Sequence, residues 1–166
     1  MVKKGFRGMA TRVFIHGLES TSQGAKGVYF RTRYPDMIVE DFLGDLDERM
    51  AKLRALLADR TDLILVGSSY GGLMAALYAC ENEAAVRRLV LLAPALDLEA
   101  FAPCRRCRLT IPVTLYHGSR DDVVPPDAVR AIALEVFTRL DYRRVNDDHP
   151  LRETFPTLDW DTLLRP

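Results

Sequence analysis

The sequence predicts an α/β protein of three layers, with helices on both faces of an open, mostly parallel, doubly wound sheet. Three observations predict it. Four short runs are apolar almost throughout: Val13-Phe14-Ile15, Leu63-Ile64-Leu65-Val66, Leu89-Val90-Leu91-Leu92 and Val113-Thr114-Leu115-Tyr116. Strands covered on both faces need that pattern, whereas half-exposed strands alternate. Each run is closed by glycine, proline or a His-Gly pair, and helix-compatible segments lie between the runs, as βαβ units require.

The elements follow in order. Val13–Ile15 is a strand ending at His16-Gly17. Met37-Ile38-Val39 is a second strand, entered after the breaker Pro35-Asp36. Asp45 to Leu57 is a helix, with Leu46, Met50, Leu53, Leu56 and Leu57 on one face and charges between them. Leu63–Val66 is a strand that stops at Gly67, and Gly72–Cys80 is a helix with Leu73, Leu77 and Cys80 on one face. Leu89–Leu92 is a strand ending before Pro94, and Val113–Tyr116 one ending at His117-Gly118. Pro126–Phe137 is a helix with proline tolerated in its first turn. Leu140–Val145 is a weaker last strand, and Leu151–Leu164 one or two short helices broken at Pro156.

A length of 166 residues fits a single domain, 1–166, large enough for a real core. Hydrophobic residues at 48% and charged residues at 28% exclude disordered, collagen-like and mucin-like classes. Lys+Arg and Asp+Glu are 23 each, so no global field draws nucleic acid or an anionic membrane. Three cysteines make no disulfide framework, which fits a reducing compartment. The N-terminus lacks the apolar run of a signal peptide, and no stretch is long and apolar enough to span a membrane. The expectation is a cytoplasmic enzyme or binding domain.

In open α/β sheets, ligands bind beyond the carboxyl ends of the strands. Beyond Val66 stands Gly67-Ser68-Ser69-Tyr70-Gly71-Gly72, a G-x-S-x-G between a strand and a helix. Such a turn strains the nucleophile's backbone and demands glycine two positions before and after it. It presents the Ser69 hydroxyl at the sheet edge, where the next helix directs its N-terminal N–H groups. A serine nucleophile needs a base and the base an orienter. His149, in Asn146-Asp147-Asp148-His149-Pro150, and Asp121, in His117-Gly118-Ser119-Arg120-Asp121-Asp122-Val123-Val124-Pro125, follow later strands at the same edge.

Four segments in register, FIHGLESTSQGAKG (14–27), LVGSSYGG (65–72), YHGSRDDVVP (116–125) and NDDHPL (146–151), resemble the α/β-hydrolase superfamily, and within it the small, lid-poor esterase-type members. The resemblance implies a compact α/β-hydrolase fold and hydrolysis through an acyl-enzyme; small carboxylic esters or thioesters are the expected substrates, because 166 residues leave little protein to build a deep pocket. It implies Ser69 as nucleophile, His149 as base and Asp121 as acid, with Asp122 the adjacent alternative. His16-Gly17 matches the family's oxyanion turn, so that Leu18 and Tyr70 contribute the oxyanion N–H groups. It implies no metal and no organic cofactor, and a small-molecule ester substrate as partner. The pH profile should then rise through a base pKa of about 6.5–7. A non-catalytic ligand-binding domain or an acyltransferase on the same scaffold is the alternative.

The chain departs from the family pattern in places. Twelve residues before the first His-Gly run are too few for a full-size sheet, so the sheet should be shortened at one edge, which could pair with a second copy as a homodimer. Ser68 stands where the family more commonly has a large residue and is expected to face away. Pro94 to Ile111 is too short for a cap domain, so an open site is expected. Arg105, Arg106 and Arg108 in that stretch could border the entrance and attract an anionic substrate, or form a solvated basic loop. Cys104-Arg105-Arg106-Cys107 lies between strands, not at a helix start, and zinc would need two further ligands that the sequence does not offer nearby, so the pair reads as incidental. His16 and His117 read as structural, Asp147 and Asp148 as solvated loop carboxylates, and Trp160 as an anchor for the C-terminal segment.

Overall fold

A computed structural model describes residues 9–166. Its six strands are β1 (Thr11–Ile15), β2 (Ile38–Val39), β3 (Leu63–Ser68), β4 (Val86–Leu92), β5 (Leu109–Gly118) and β6 (Phe137–Val145). They form one sheet in the order β2-β1-β3-β4-β5-β6. Every pairing is parallel, so the expected "mostly parallel" sheet is wholly parallel among the described residues. The central strands β3 and β4 are buried almost end to end, as their unbroken apolar runs require. One edge is the two-residue β2. The other is β6, whose exposed Arg139, Asp141, Arg143 and Arg144 discourage edge pairing.

The helices are α1 (Ala25–Arg33), α2 (Leu46–Leu57), α3 (Tyr70–Glu81), α4 (Pro126–Val136) and α5 (Trp160–Leu163). α2 begins on a full capping box: Asp45 accepts from the Glu48 N–H, and Glu48 accepts from the Asp45 N–H. α1 was not legible in the sequence, because it starts at Gly24 with no side-chain cap and no acidic first turn. α3 starts at Tyr70, two residues earlier than its apolar periodicity suggests, because the elbow feeds directly into it. Residues 99–106, expected as a linker, form a 3-10 helix that packs on α3 and α4. Pro156 does not break the tail but sits inside a 3-10 turn, Phe155–Thr157. The break comes at Leu158-Asp159, and Asp159 caps α5.

Two cores lie on opposite faces of the sheet. The larger packs Val13, Ile15, Leu63, Leu65, Leu89 and Leu91 against α2, α3 and α4. The other packs Phe14, Ile64, Val66, Val90 and Leu92 against α1 and the C-terminal segment. Odd and even residues of each strand thus serve different faces, the period of two of a pleated strand. Trp160 anchors the second core. It is 1% exposed, its ring stands 4.8 Å from Phe30, and its indole N–H donates to Phe155 O at 3.0 Å. Trp160→Ala is expected to cost about 3–5 kcal/mol, read as a lowered urea midpoint. A loss under about 1 kcal/mol would show that this packing does not hold the tail.

Candidate active site

β3 and α3 meet at Ser69, whose φ of 54° and ψ of −114° lie where non-glycine residues rarely go. Such a conformation costs on the order of 1–3 kcal/mol and persists only if its surroundings hold it. Here they do. The Ser69 N–H donates to Leu92 O at 2.9 Å, and Ser69 O accepts from Leu73 N at 3.1 Å and Ala95 N at 3.0 Å. The turn also requires glycine. A Cβ on Gly67 would meet Gly71 O and stand 2.7 Å from Gly72 Cα. A Cβ on Gly71 would meet Ile15 O and His16 O at the end of β1. The two glycines therefore serve different approaches, one within the elbow and one between strands.

Ser69, His149 and Asp121 are brought together. His149 Nε2 lies 2.9 Å from Ser69 Oγ, and His149 Nδ1 lies 2.7 Å from Asp121 Oδ2. The side chain of Asp121 is fully buried, and its Oδ1 accepts from the N–H groups of Val123 at 2.9 Å and Val124 at 2.8 Å. Burial is the largest single influence on its carboxyl and works to raise the pKa. The Val124, His149 and Val123 bonds together outweigh it, so the pKa lies below the ordinary value. An ionised carboxylate can only accept, so Nδ1 of His149 carries the proton and Nε2 faces the serine hydroxyl as acceptor. Asp122 is exposed and takes no part.

The other two histidines take supporting places. His117 is fully buried, and its Nε2 stands 3.0 Å from both Val124 O and Asp121 Oδ2. Burial lowers its pKa and keeps it neutral. His16 Nε2 accepts from the Phe42 N–H at 2.9 Å, so its Nδ1–H donates to Gly17 O at 2.7 Å. Burial lowers this pKa as well. The bond fixes the Gly17–Leu18 peptide plane, and in a trans peptide the Leu18 N–H points opposite to the Gly17 carbonyl. Among the described residues, neither the Leu18 N–H nor the Tyr70 N–H, at the first position of α3, donates a hydrogen bond.

These groups open on a cleft of about 500 Å3 lined by Ser69, His149, Leu18, Tyr70, Lys26 and Asp97, among others. Ser68, expected to face away, lines it too. Leu18, Leu98 and Val123 form an exposed apolar lip, at 52%, 41% and 66% exposure. The arginines at 105, 106 and 108 do not line the cleft, and Arg105 instead pairs with Glu135 of α4 at 2.8 Å. The basic segment therefore does not border the entrance.

Three residues that support this constellation were misread or missed. Asp147 is not solvated but 1% exposed. It accepts from the N–H groups of Asp148 at 2.8 Å, Glu153 at 3.1 Å and Thr154 at 2.7 Å, so it anchors the loop that carries His149. Lys26 donates to Pro150 O at 2.6 Å from across the cleft. Arg49, a buried residue in the first turns of α2, donates to Leu18 O at 3.2 Å and lies 5.5 Å from the centre of the Tyr70 ring. None has a local sequence signal, since each is an ordinary charged residue until the chain folds over it.

Among the comparisons, residues 31–107 match a family model described as serine aminopeptidase, S33. The structure is similar to an alpha-beta serine hydrolase homologue from Coxiella burnetii, at 20% identity and a TM-score of 0.76 over 97% of this chain and 86% of that one. It is also similar to a CIB-like hydrolase from Thermoplasma acidophilum, at 19% identity and a TM-score of 0.71 over 98% of this chain and 86% of that one. Monoacylglycerol lipase of Paleococcus ferrophilus superposes at 15% identity and a TM-score of 0.71 over 94% of this chain and 96% of that one. No curated protein matches the chain in sequence. No helix among the described residues is long and apolar enough to cross a membrane.

Asp147 makes a pH prediction. Burial, the largest influence, opposes its ionisation, but the bonds from Thr154, Asp148 and Glu153 outweigh it and hold the pKa below the ordinary value. A lowered carboxyl pKa gives stability that is present above the unfolded value of about 3.9 and is lost as pH falls through the folded value. Asp147→Asn should therefore be less stable than wild type at pH 7 by about 1–3 kcal/mol. The gap should shrink on acidification below about pH 4. Urea unfolding at both pH values checks it, and a gap that does not change with pH would refute the assignment.

Proposed function

We propose that this chain is a serine hydrolase of the α/β-hydrolase superfamily that cleaves small carboxylic esters or thioesters through an acyl-enzyme. The observation that carries the reading is the unbroken line of contacts from Ser69 Oγ through His149 to buried Asp121, at 2.9 and 2.7 Å. Ser69 Oγ attacks the acyl carbonyl as its proton passes to His149 Nε2, and Asp121 stabilises the imidazolium that forms. The developing oxyanion accepts from the Leu18 and Tyr70 N–H groups, each such donor being worth about 3 kcal/mol in the transition state. Collapse expels the alcohol or thiol, which takes the proton from Nε2. Water then attacks the acyl-enzyme, gives its proton to His149, and the acid leaves as Ser69 recovers its hydrogen. The open cleft with the Leu18, Leu98 and Val123 lip suits a short apolar acyl group whose leaving group stays near solvent.

A fluorophosphonate probe tests this by intact mass. One adduct is expected on wild type and none on Ser69→Ala. In a panel of short acyl esters and thioesters, Asp121→Asn should lower kcat by about 10⁴-fold, because the imidazole loses the acceptor that sets its tautomer. No adduct on folded wild type, or an adduct that survives in Ser69→Ala, would overturn the reading and favour a non-catalytic ligand-binding domain.

A further inference from the structure

All three cysteines of the chain, Cys80, Cys104 and Cys107, converge at one place, although the sequence separates the first from the others by more than a score of residues. Their sulfurs lie within 4.8 Å of one another. Two elements make this so. Cys80 sits in the last turn of α3. Cys104 lies in the 3-10 helix Glu99–Arg106 and Cys107 caps it, its N–H donating to Cys104 O at 2.9 Å. Three residues per turn bring positions i and i+3 of a 3-10 helix onto one side, so the two thiols face α3 together. All three are half-buried against the larger core.

We propose that this cluster is a binding site for a soft, thiophilic metal ion held by three thiolates. Sulfurs sharing one ion at about 2.3 Å stand about 4 Å apart, so the arrangement needs only a small inward movement. Hard cations such as magnesium or calcium prefer oxygen ligands and find none in the group. Three thiolates suit a trigonal cuprous ion, or a zinc ion whose fourth position is taken by water. Binding breaks three S–H bonds and forms three metal–sulfur bonds. Three protons leave to solvent and no electron moves. Exposed Arg106 and Arg108 flank Cys107 in the chain, and the Glu81 carboxylate, which opposes negative charge at Cys104, is itself paired with Arg54 at 2.6 Å. The Cys-x-x-Cys that read as incidental acquires its third ligand only through the docking of the 3-10 helix on α3.

The ion would clamp that 3-10 helix to the far end of α3, the helix that Ser69 caps. Ala95, Asp97 and Leu98 of the cleft wall lead directly into the clamped segment. The site stands whether or not Ser69 is a nucleophile, and its test is independent of turnover.

The reduced full-length protein would be titrated separately with Zn(II), with Cd(II) as a spectroscopic probe, and with Cu(I) under anaerobic conditions with a competing chelator. One ion per chain is expected, with thiolate-to-metal charge-transfer absorption for Cd(II), a raised Tm, and loss of alkylation at all three cysteines in intact mass. Tighter Cu(I) than Zn(II) binding would mark the ion as cuprous, and the reverse as zinc, either result supporting the site. Cys80→Ser, Cys80→Ala, Cys104→Ser and Cys107→Ser, each checked for folding by circular dichroism, should each weaken binding at least tenfold. Alkylation of all three thiols with an equivalent of metal present would overturn the proposal. So would wild-type affinity in either Cys80 variant, or a reduced chain that binds no ion and merely closes a Cys104–Cys107 disulfide in air.

Discussion

The turn from β3 into α3 is the constraint on which the rest of the cleft depends. Ser69 can hold a positive φ only because its N–H and carbonyl are tied to the ends of β4 and α3 and to Ala95. It can approach β1 only because position 71 has no side chain. Those ties come from the carboxyl ends of neighbouring parallel strands, so the sheet order is itself a condition of the turn. A sheet in another order would leave the strained residue without partners, and the strain would relax.

Around that turn, support is supplied mostly by buried polar groups, each fully engaged on one side. Asp121 is held at Oδ1 by two backbone N–H groups, and its Oδ2 is shared between His149 and His117. Asp147 gathers three N–H groups of the following loop, and Lys26 secures the Pro150 carbonyl. On the opposite wall, His16 orients the peptide that precedes Leu18, while Arg49 grips the Leu18 carbonyl and lies against Tyr70. These groups hold Ser69, His149 and Asp121 at contact distance through the fold alone, the condition a preorganised site requires.

The thiol cluster stands at the other end of α3, so one helix is capped by the serine at its beginning and carries one of the clustered cysteines in its last turn. The segment that walls the cleft also supplies the other two thiols. The cleft wall and the thiol cluster thus share structural elements.

The sequence by itself determined the central strands and the glycine-flanked turn at Ser69, because these depend on local pattern, while Ser69, His149 and Asp121, with Asp122 beside it, were singled out through a family resemblance. Continuous apolar runs mark two-sided burial, glycine marks the tight turn, and strand ends mark the edge where ligands sit. α1 escaped because it begins without a capping side chain, and the 3-10 helix at 99–106 because its stability comes from docking on α3 and α4. Only the tertiary structure decided the roles of Asp147, Lys26 and Arg49, the distance of the arginine cluster from the cleft, and the meeting of Cys80 with Cys104 and Cys107. A charge or a thiol takes its chemistry from what surrounds it. Those surroundings come from segments distant in the chain, brought together by burial of the two cores, and no local pattern records them.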